Sequence, residues 1–175
     1  MSPPGDANDR SWFEPLARVL ERPAFQFTLM MTQDRSSAEE IVQEAFARVF
    51  AARNTPSNQP EFKRWLYRAI TNLVRDRHRR QMVETRLRVF SRPAPDPEDE
   101  VIRRAEDREL LLAFRSLDLR ERMAVYLHYY EDQPFAEIGR SINLRENAAR
   151  VLVHRALRKL RARLEGNPLA HEVSI

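Results

Sequence analysis

The stretch EFKRWLYRAITNLVRDRHRR, from Glu61 to Arg80, has the 3.6-residue period of an amphipathic helix. When each residue advances the helix by 100°, its apolar residues cover an arc of roughly 140°. The polar stripe carries Arg64, Arg68, Thr71, Arg75 and Arg79, with Asn72 on the border between the two sides. None of these arginines has an acidic residue at i+4, so they repel one another unless a polyanion neutralises them. The pattern predicts either a nucleic-acid-binding helix or an ordinary solvated helix face.

The whole chain has the composition of a small helical protein. Its 175 residues are 42% hydrophobic and 32% charged, with only three glycines. This composition predicts an all-α fold, and the length suffices for one domain or two small ones. We predict two small helical domains joined by a proline-rich, acidic linker, because the segment SRPAPDPEDE has prolines at 93, 95 and 97. The predicted divisions are a disordered tail (1–10), a first domain (11–90), the linker (91–107), a second domain (108–165) and a C-terminal tail (166–175).

Local signals predict where several helices begin and end. Capping boxes are predicted at Ser11–Glu14 and Ser36–Glu39, and Asp118 is predicted to cap a later helix. Pro23 is expected to break or kink the first helix. The sequence TQD, at residues 32–34, is expected to end that helix.

The segment PFAEIGRSINLRENAARVLVHRALRKLR, residues 134–161, has a helix-turn-helix layout. Asn143 suits a left-handed turn position, and Asn143 with Glu146 could cap the second helix. We expect that helix to bury Ala149, Leu152 or Val153, Ala156 and Leu160. We expect it to expose Arg150, His154, Arg155, Arg158 and Arg161. Such a helix can read base edges in duplex DNA while arginines at its sides hold phosphates.

Charge is segregated along the chain. Residues 61–92 hold ten basic and three acidic side chains, and residues 145–164 hold seven basic and one acidic side chain. Residues 93–109 are acidic instead, with seven acidic and three basic side chains. Two cationic helices separated by an acidic segment predict two contacts with one polyanion.

Several functional classes lack their characteristic residues. The chain has no cysteine, and its four histidines (78, 128, 154 and 171) show no metal-ligand spacing. A glycine-rich phosphate loop and a nucleophile elbow are also absent, so we predict no enzymatic activity, no cofactor and no metal site. No apolar run approaches the roughly 20 residues of a membrane span, and MSPPGDANDR lacks a signal-peptide core. We therefore predict a cytoplasmic protein with no membrane insertion.

Two stretches together resemble one family. DRSSAEEIVQEAF followed by FKRWLYRAITNLVRDRHRR resembles region two of bacterial RNA polymerase sigma factors. LDLRERMAVYLHYYEDQPFAEIGRSI followed by RVLVHRALRKLR resembles region four, and the absence of a third region resembles the extracytoplasmic-function (ECF) group. The resemblance covers about residues 12–88 and 108–164. It implies a subunit that binds the β′ and β subunits of core RNA polymerase. It further implies promoter recognition, DNA melting and transcription initiation at a specific regulon, and control by an anti-sigma factor.

The resemblance also implies three sets of site residues. The core-polymerase surface is expected to comprise Glu39, Glu40, Gln43 and Glu44. The melted non-template strand of the minus-ten element is expected to contact Arg64, Trp65, Arg68, Asn72, Arg75, Arg79 and Arg80, together with the loop 53–60. The minus-thirty-five duplex is expected to contact Arg145, Arg150, Val151, His154, Arg155 and Arg158. Trp65 and Tyr67 could also stack on unpaired bases, although we expect the Trp65 ring to belong to the core.

The recognition helix departs from the family pattern. Many members begin this helix with Ser-x-Gly-Thr-Val-Lys-Ser-Arg, whereas this chain has RENAARVL. Arg145 takes the capping serine position, and Ala148, Ala149, Val151 and Leu152 replace the Thr, Val, Ser and Arg. The bases that it reads are therefore left open, with apolar contact to thymine methyl groups as one option.

Two other functional classes are weighed against the sigma-factor hypothesis. A stand-alone helix-turn-helix regulator explains residues 134–161 but leaves the Trp65 helix and the acidic helix without a role. A nucleic-acid enzyme lacks the necessary side chains, and an RNA-binding helical protein is compatible with the charge alone.

Overall fold

A computed structural model describes residues 11–87 and 105–165, and in these residues all regular structure is helical. The helices are α1 (Phe13–Thr32), α2 (Arg35–Ala51), α3 (Gln59–Leu87), α4 (Ala105–Arg115), α5 (Leu119–Tyr129), α6 (Phe135–Ile142) and α7 (Glu146–Glu165). They form two compact units, α1–α3 and α4–α7, divided between residues 88 and 89. The predicted all-α fold with two helical domains is confirmed. The two predicted tails and residues 91–104 of the predicted linker lie outside the described residues.

The first unit is a three-helix bundle with an aromatic core. Each of α1, α2 and α3 packs against the other two. Phe27 of α1 and Tyr67 of α3 are both fully buried, with ring centroids 5.1 Å apart in an edge-to-face arrangement. Phe62, another fully buried residue of α3, makes an edge-to-face contact with Phe13 at 5.7 Å. Such contacts add to the free energy gained from burying the rings.

The start of α1 differs from its prediction, and Pro23 does not break the helix. The helix begins at Phe13, and Trp12, not the predicted Ser11, takes the N-cap position without a capping bond from its own side chain. Pro23 lies inside one continuous helix. Leu20, Ala24 and Phe27 are buried on either side of it. Their burial against α2 and α3 outweighs a local penalty of about 3 kcal/mol for an internal proline.

The start of α2 is set by Asp34, not by the predicted Ser36. The Asp34 carboxylate accepts a hydrogen bond from the Ser37 backbone N–H at 2.8 Å, and the helix begins at Arg35. Gln33 has a φ of 56°, which ends α1 as predicted. Only two residues therefore separate α1 from α2. The helix starts earlier than the Ser36–Glu39 pattern suggested, because the first residue after the turn already caps it.

The second unit is built around α5, whose residues 121–127 are all buried. The predicted cap at Asp118 is confirmed, and Glu121 completes a capping box in which each residue bonds the other's backbone N–H. The side chain of Arg122 donates to the carbonyl oxygens of Arg115 and Leu117, which fixes the turn between α4 and α5.

The turn between α6 and α7 is as tight as a helix-turn-helix motif requires. Asn143 adopts the predicted left-handed conformation, with φ 58° and ψ 54°, and ends α6 as its C-cap. It does not cap α7, because that helix begins at Glu146, directly after Arg145. A Cβ atom on Gly139 would lie 2.5 Å from the Leu144 carbonyl oxygen. The turn therefore approaches α6 so closely that only glycine fits at this position.

Candidate nucleic-acid interface

The buried face of α3 is rotated relative to the helical-wheel prediction. Thr71, which was placed on the polar stripe, is fully buried and donates to the Arg68 carbonyl oxygen at 3.0 Å. Tyr67, which was considered as a stacking surface, is also fully buried. The predicted minus-ten residues that are exposed are Trp65, Asn72, Arg79 and Arg80, and Arg64, Arg68 and Arg75 are half-buried.

Trp65 lies at the surface, so the expectation of a core position for its ring is wrong. Its side chain is 36% exposed and lines an open groove of about 300 Å³ between α2 and α3. The groove brings together three predicted minus-ten residues, namely Trp65, Arg68 and Asn72. Sequence reasoning missed the other wall, which comes from the end of α2 and includes Arg48 and Ala52. No spacing in the sequence signals that wall, because it depends on how α2 packs against α3.

The loop that precedes α3 is held by side-chain hydrogen bonds at both ends. The Thr55 hydroxyl donates to the carbonyl oxygens of Val49 and Ala52 at the end of α2. Asn58 accepts from the Glu61 backbone N–H at 3.0 Å, and its amide donates to the Glu61 carboxylate at 2.9 Å. The loop is thus anchored to α2 and α3, the two helices that form the groove.

The arginine stripe on α3 is less isolated than its sequence suggested. Arg79 pairs with Asp76, three residues earlier on the same helix. The neighbouring Arg77 pairs with Glu40 of α2 at 2.8 Å. Acidic residues at i−3 and on another helix therefore relieve part of the repulsion that was inferred from the i+4 positions.

The four predicted polymerase-binding residues form an exposed acidic patch on α2. This patch consists of Glu39, Glu40, Gln43 and Glu44. Glu39 pairs with Arg35 at 3.0 Å and Glu44 with Arg48 at 2.5 Å, while at least half of each carboxylate side chain stays exposed. Exposed pairs of this kind contribute little free energy. A basic partner surface can therefore compete for these carboxylates.

The buried stripe of α7 matches its prediction. It consists of Ala149, Leu152, Val153, Ala156 and Leu160. The predicted minus-thirty-five residues Arg145, Arg150, Val151, His154, Arg155 and Arg158 are all exposed. Asn147 was not among the predicted contact residues, yet it is also exposed and lies one turn before Val151. Its i−4 spacing from a predicted site residue was the available signal.

A buried carboxylate holds two cations of α7. Glu121 of α5 is fully buried, and its Oε1 accepts from the Lys159 Nζ at 2.5 Å and pairs with the Arg155 Nε at 3.3 Å. The Arg155 side chain is still 53% exposed. Arg155 is therefore tied to α5 at its Nε while part of its guanidinium faces solvent.

An aromatic ring, that of Phe135, contacts two of the exposed residues of α7. The Phe135 ring stacks on His128 with centroids 4.6 Å apart, and the Arg150 guanidinium lies over the same ring at 5.2 Å. His154 is 6.3 Å from Phe135. Phe135 was not a predicted site residue, yet it positions two residues that were predicted.

A second open groove, of about 560 Å³, lies between the start of α5 and the first half of α7. It is lined by Asp118, Arg120, Leu144, Asn147, Ala148, Val151, Leu152 and Arg155. Its lining combines apolar side chains on α7 with two arginines, one on each helix. We call it the α5–α7 groove.

In residues 11–87 and 105–165, no group of three His, Asp or Glu side chains could hold a metal ion. No helix in the same ranges combines the length and the apolar character needed to cross a membrane.

Comparison with known proteins places both units in one family. Residues 13–83 match the family described as sigma-70 region 2, and residues 107–160 match sigma-70 region 4. RNA polymerase sigma factor CarQ of Myxococcus xanthus is 32% identical over 141 residues, covering 77% of this chain and 79% of CarQ. ECF RNA polymerase sigma factor SigW of Bacillus subtilis is 25% identical over 169 residues, covering 89% and 90%.

Two solved structures share the fold. The sigma factor RpoE in complex with the anti-sigma factor NepR, from Bartonella quintana, has a TM-score of 0.69 at 16% identity, covering 87% of this chain and 96% of RpoE. CnrH in complex with the cytosolic domain of CnrY has a TM-score of 0.65 at 21% identity and covers 92% of both chains. The α1–α3 unit and the α4–α7 unit, which carries the helix-turn-helix, occur in the order of sigma-70 regions 2 and 4. The chain therefore belongs to the sigma-70 family, in its ECF group, and is a sigma factor for promoter-specific transcription initiation.

Proposed function

We propose that this sigma factor uses three separate surfaces in initiation. The acidic patch on α2 docks on core RNA polymerase, the groove beside Trp65 holds the melted non-template strand, and α7 reads an upstream duplex element. None of these roles requires catalytic chemistry, and the protein acts in the cytoplasm by binding alone. Binding the single-stranded state in preference to the duplex favours open DNA by mass action.

The groove beside Trp65 is the observation that carries this proposal. It combines an exposed indole for stacking, the Asn72 amide for hydrogen bonding to a base edge and the Arg68 guanidinium for a phosphate. A solvated helix face would have no reason to place these three groups around one concavity. The anchored loop 53–60 supports the same role, because a fixed loop loses little entropy when a strand binds beside it.

The acidic patch supports docking on a basic protein surface. Its carboxylates lie on the side of α2 that faces away from the buried residues Ile41, Val42 and Ala45. Their arginine partners Arg35 and Arg48 are exposed, so exchanging these for cations of a partner costs little. Complementary charge of this kind gives specificity and fast association.

The docking role is tested by reversing charge at Glu39 and Glu40. Fluorescence anisotropy of the amino-terminally labelled chain, titrated with core RNA polymerase, should show a loss of affinity of at least about thirtyfold for the E39K/E40K double variant, because two attractive contacts become repulsive. The matched control reverses Glu14 and Glu21, two exposed acidic residues of α1. Circular dichroism should show that both variants stay folded. Normal core binding by the E39K/E40K protein would refute the docking assignment.

A parallel titration with duplex DNA separates the two main functional classes. The proposal expects weak binding of duplex by the chain alone and strong binding after core polymerase is added. Specific duplex binding without any core binding would indicate a stand-alone regulator and leave the Trp65 groove without a role.

The minus-ten role is tested on the assembled holoenzyme with single-stranded non-template oligonucleotides. Asn72→Ala should weaken binding about tenfold for the preferred sequence and less for other sequences, because one base-edge contact is lost. Gln26→Ala, which removes a side-chain amide from α1, is the control. An equal loss for every sequence would show that Asn72 does not read a base.

Regulation by a protein inhibitor is part of the proposal. RpoE and CnrH were each solved with a protein partner, NepR and the cytosolic domain of CnrY. An inhibitor of this chain that covers the acidic patch would block docking on core polymerase. Affinity purification of the tagged chain from its own cells should recover that inhibitor under non-inducing conditions. Recovery of the chain without any stoichiometric partner under all conditions would contradict regulation by a protein inhibitor.

A further inference from the structure

The outermost residues of α7 form a defined stripe. The buried residues Ala149, Val153, Ala156 and Leu160 mark the inner side of the helix. Residues 147, 151, 154 and 158, which are spaced four, three and four apart, lie on the opposite side. All four are exposed, and they are Asn147, Val151, His154 and Arg158. The part of this stripe nearest the start of the helix therefore presents an amide and an apolar side chain.

Val151 is an unusual residue for the middle of a cationic surface. Its side chain is 64% exposed, although residues 145–164 hold seven basic side chains and one acidic side chain. It continues the apolar lining of the α5–α7 groove, where Ala148 and Leu144 lie beside it. A face built only to be solvated, or only to hold phosphates, gains nothing from an apolar group here.

Two arginines of α7, Arg150 and Arg155, lie on either side of the stripe. The Arg150 guanidinium lies over the Phe135 ring at 5.2 Å, and the Arg155 Nε pairs with the buried Glu121 at 3.3 Å. Arginine is the usual partner of guanine in the major groove. Because both guanidinium groups are held at the sides of the stripe, they are placed to contact phosphates. The positions that face the base edges are then those of Asn147 and Val151.

The chemistry of these two side chains matches an A·T base pair. In the major groove, thymine alone presents a methyl group, which an apolar side chain recognises, and adenine presents the N6 donor and N7 acceptor that an asparagine amide matches. One helical turn between the two residues is about 6 Å along the axis. Successive base pairs are about 3.4 Å apart, so the two contacts fall within about two base-pair steps.

We infer that α7 reads an A·T-containing step in the upstream promoter element. Val151, with Ala148 beside it, packs on the C5-methyl group of a thymine, and Asn147 pairs with N6 and N7 of an adenine one or two base pairs away. This inference rests on the proposed function, because it requires α7 to enter the major groove of duplex DNA. It adds which bases are recognised and which two residues set that specificity.

The thymine contact is tested by removing its methyl group from the DNA. Holoenzyme made from the full chain and core polymerase selects duplexes from a library randomised upstream of a fixed, premelted minus-ten segment. Each thymine of the selected upstream element is then replaced by deoxyuridine. One replacement should weaken binding about three- to fivefold, the value of one buried methyl contact.

Variants of the protein assign that contact to Val151. The Val151→Ala holoenzyme should lose most of the difference in affinity between the thymine and deoxyuridine duplexes, because the methyl group loses its main partner and keeps only Ala148 beside it. Val19→Ala removes a valine of similar exposure, 58%, from α1 and should keep the wild-type sensitivity. The same sensitivity in the Val151→Ala holoenzyme as in wild type would overturn the assignment.

The adenine contact is tested in the same format with 7-deazaadenine, which lacks the N7 acceptor. One such replacement should cost wild-type holoenzyme about fivefold in affinity and should cost the Asn147→Ala holoenzyme nothing. Insensitivity of the wild-type protein at every adenine would overturn the Asn147 contact.

The outcomes separate this inference from the function on which it rests. Holoenzyme that selects a defined upstream element without any methyl-sensitive thymine leaves the sigma-factor role intact and refutes the base assignment. Holoenzyme that enriches no upstream element contradicts the proposed duplex role of α7, and the inference with it.

Discussion

The two cationic helices of this protein solve different recognition problems with similar charge. On α3, arginines 64, 68 and 75 are half-buried, and the exposed Trp65 lines a concave groove against α2. On α7 the predicted contact arginines are exposed, and the outermost stripe presents Asn147 and Val151. An exposed indole beside a groove can accept an unstacked base, whereas an exposed stripe on the outer side of a helix can enter a major groove. Net charge alone therefore predicts binding to nucleic acid but does not distinguish a single strand from a duplex.

Helices α3 and α7 also differ in the interactions that hold them to the rest of their units. The long helix α3 is held mainly by its aromatic and aliphatic core, and its ion pair with α2, Arg77–Glu40, is at the surface. On α7, Arg155 and Lys159 converge on a carboxylate that has no exposure. The recognition surface of α7 thus depends on one buried charge in a way that the surface of α3 does not.

The largest expected effect separates these two kinds of ion pair. Glu121→Ala should lower the unfolding free energy of the α4–α7 unit by about 2–4 kcal/mol, because it removes a buried pair and half of a capping box. The matched change Glu40→Ala should cost the α1–α3 unit no more than about 0.5 kcal/mol, since its pair is exposed. Glu121→Gln keeps an oxygen for the capping bond, so its loss of unfolding free energy should lie between those of Glu121→Ala and Glu40→Ala.

The two units can be followed separately during denaturation. Both tryptophans of the chain, Trp12 and Trp65, lie in the first unit. Tryptophan fluorescence therefore reports the unfolding of α1–α3, and far-ultraviolet circular dichroism reports both units. Glu121→Ala should shift the circular dichroism transition and leave the fluorescence transition in place. Equal shifts in both signals would show that the buried carboxylate is not a local fastening of α7.

The next effect concerns the turn on which α7 is mounted. Gly139→Ala should destabilise the second unit by about 1–3 kcal/mol, because the added Cβ meets the Leu144 backbone oxygen, which can move only with the turn. The adjacent change Arg140→Ala removes the pair between the exposed Arg140 and the Glu137 carboxylate, which is only 14% exposed, and should cost less, about 1 kcal/mol at most. The same circular dichroism measurement compares them. A neutral Gly139→Ala variant would mean that the close approach of α6 to the turn is not required.

A crossed binding experiment sharpens the contrast between groove and stripe. Trp65→Ala should weaken binding of single-stranded non-template DNA by the holoenzyme about tenfold, the value of one stacked base, and should leave binding of the upstream duplex unchanged. Val151→Ala should weaken binding of the upstream duplex and leave binding of single-stranded DNA unchanged. Trp65→Phe keeps an aromatic face and should lose about twofold or less in single-strand binding. If Trp65→Ala affected both kinds of DNA equally, the groove would not be a single-strand site.

Local signals predicted the second unit better than the first. The Asp118 cap and the Asn143 turn act between residues close in sequence, so their chemistry can be read directly. The burial pattern of α7 followed from its period for the same reason, because one side of that helix packs on its own unit. The sequence therefore predicted the helix-turn-helix geometry and most of its exposed face.

The first unit differs from its prediction where tertiary packing overrides local preference. Three helices share the core, so the buried side of α3 rotates to include Tyr67 and Thr71 and leaves Trp65 at the surface. Pro23 stays within α1 because the residues on both sides of it are buried. The groove beside Trp65 could not be predicted, since its second wall belongs to a different helix.

The smallest effect tests which residue begins α2. Asp34→Ala should cost the first unit about 1 kcal/mol, the value of an N-cap, whereas Ser36→Ala, the cap that the sequence favoured, should cost about 0.5 kcal/mol or less. Hydrogen bonds from the Ser37 side chain and backbone N–H, with a smaller contribution from Arg77, hold the pKa of Asp34 below its ordinary value.

The pH dependence of that difference gives an independent check. A carboxylate with a lowered pKa in the folded state contributes its stability above the unfolded pKa of about 3.9, and loses it as pH falls through the folded value. The gap between wild type and Asp34→Ala, measured by tryptophan fluorescence during urea denaturation, should thus stay constant from pH 7 to about pH 5 and shrink below about pH 4. The Ser36→Ala gap should not change with pH. A gap for Asp34→Ala that persisted undiminished at about pH 3 would show that its carboxylate charge does not stabilise the start of α2.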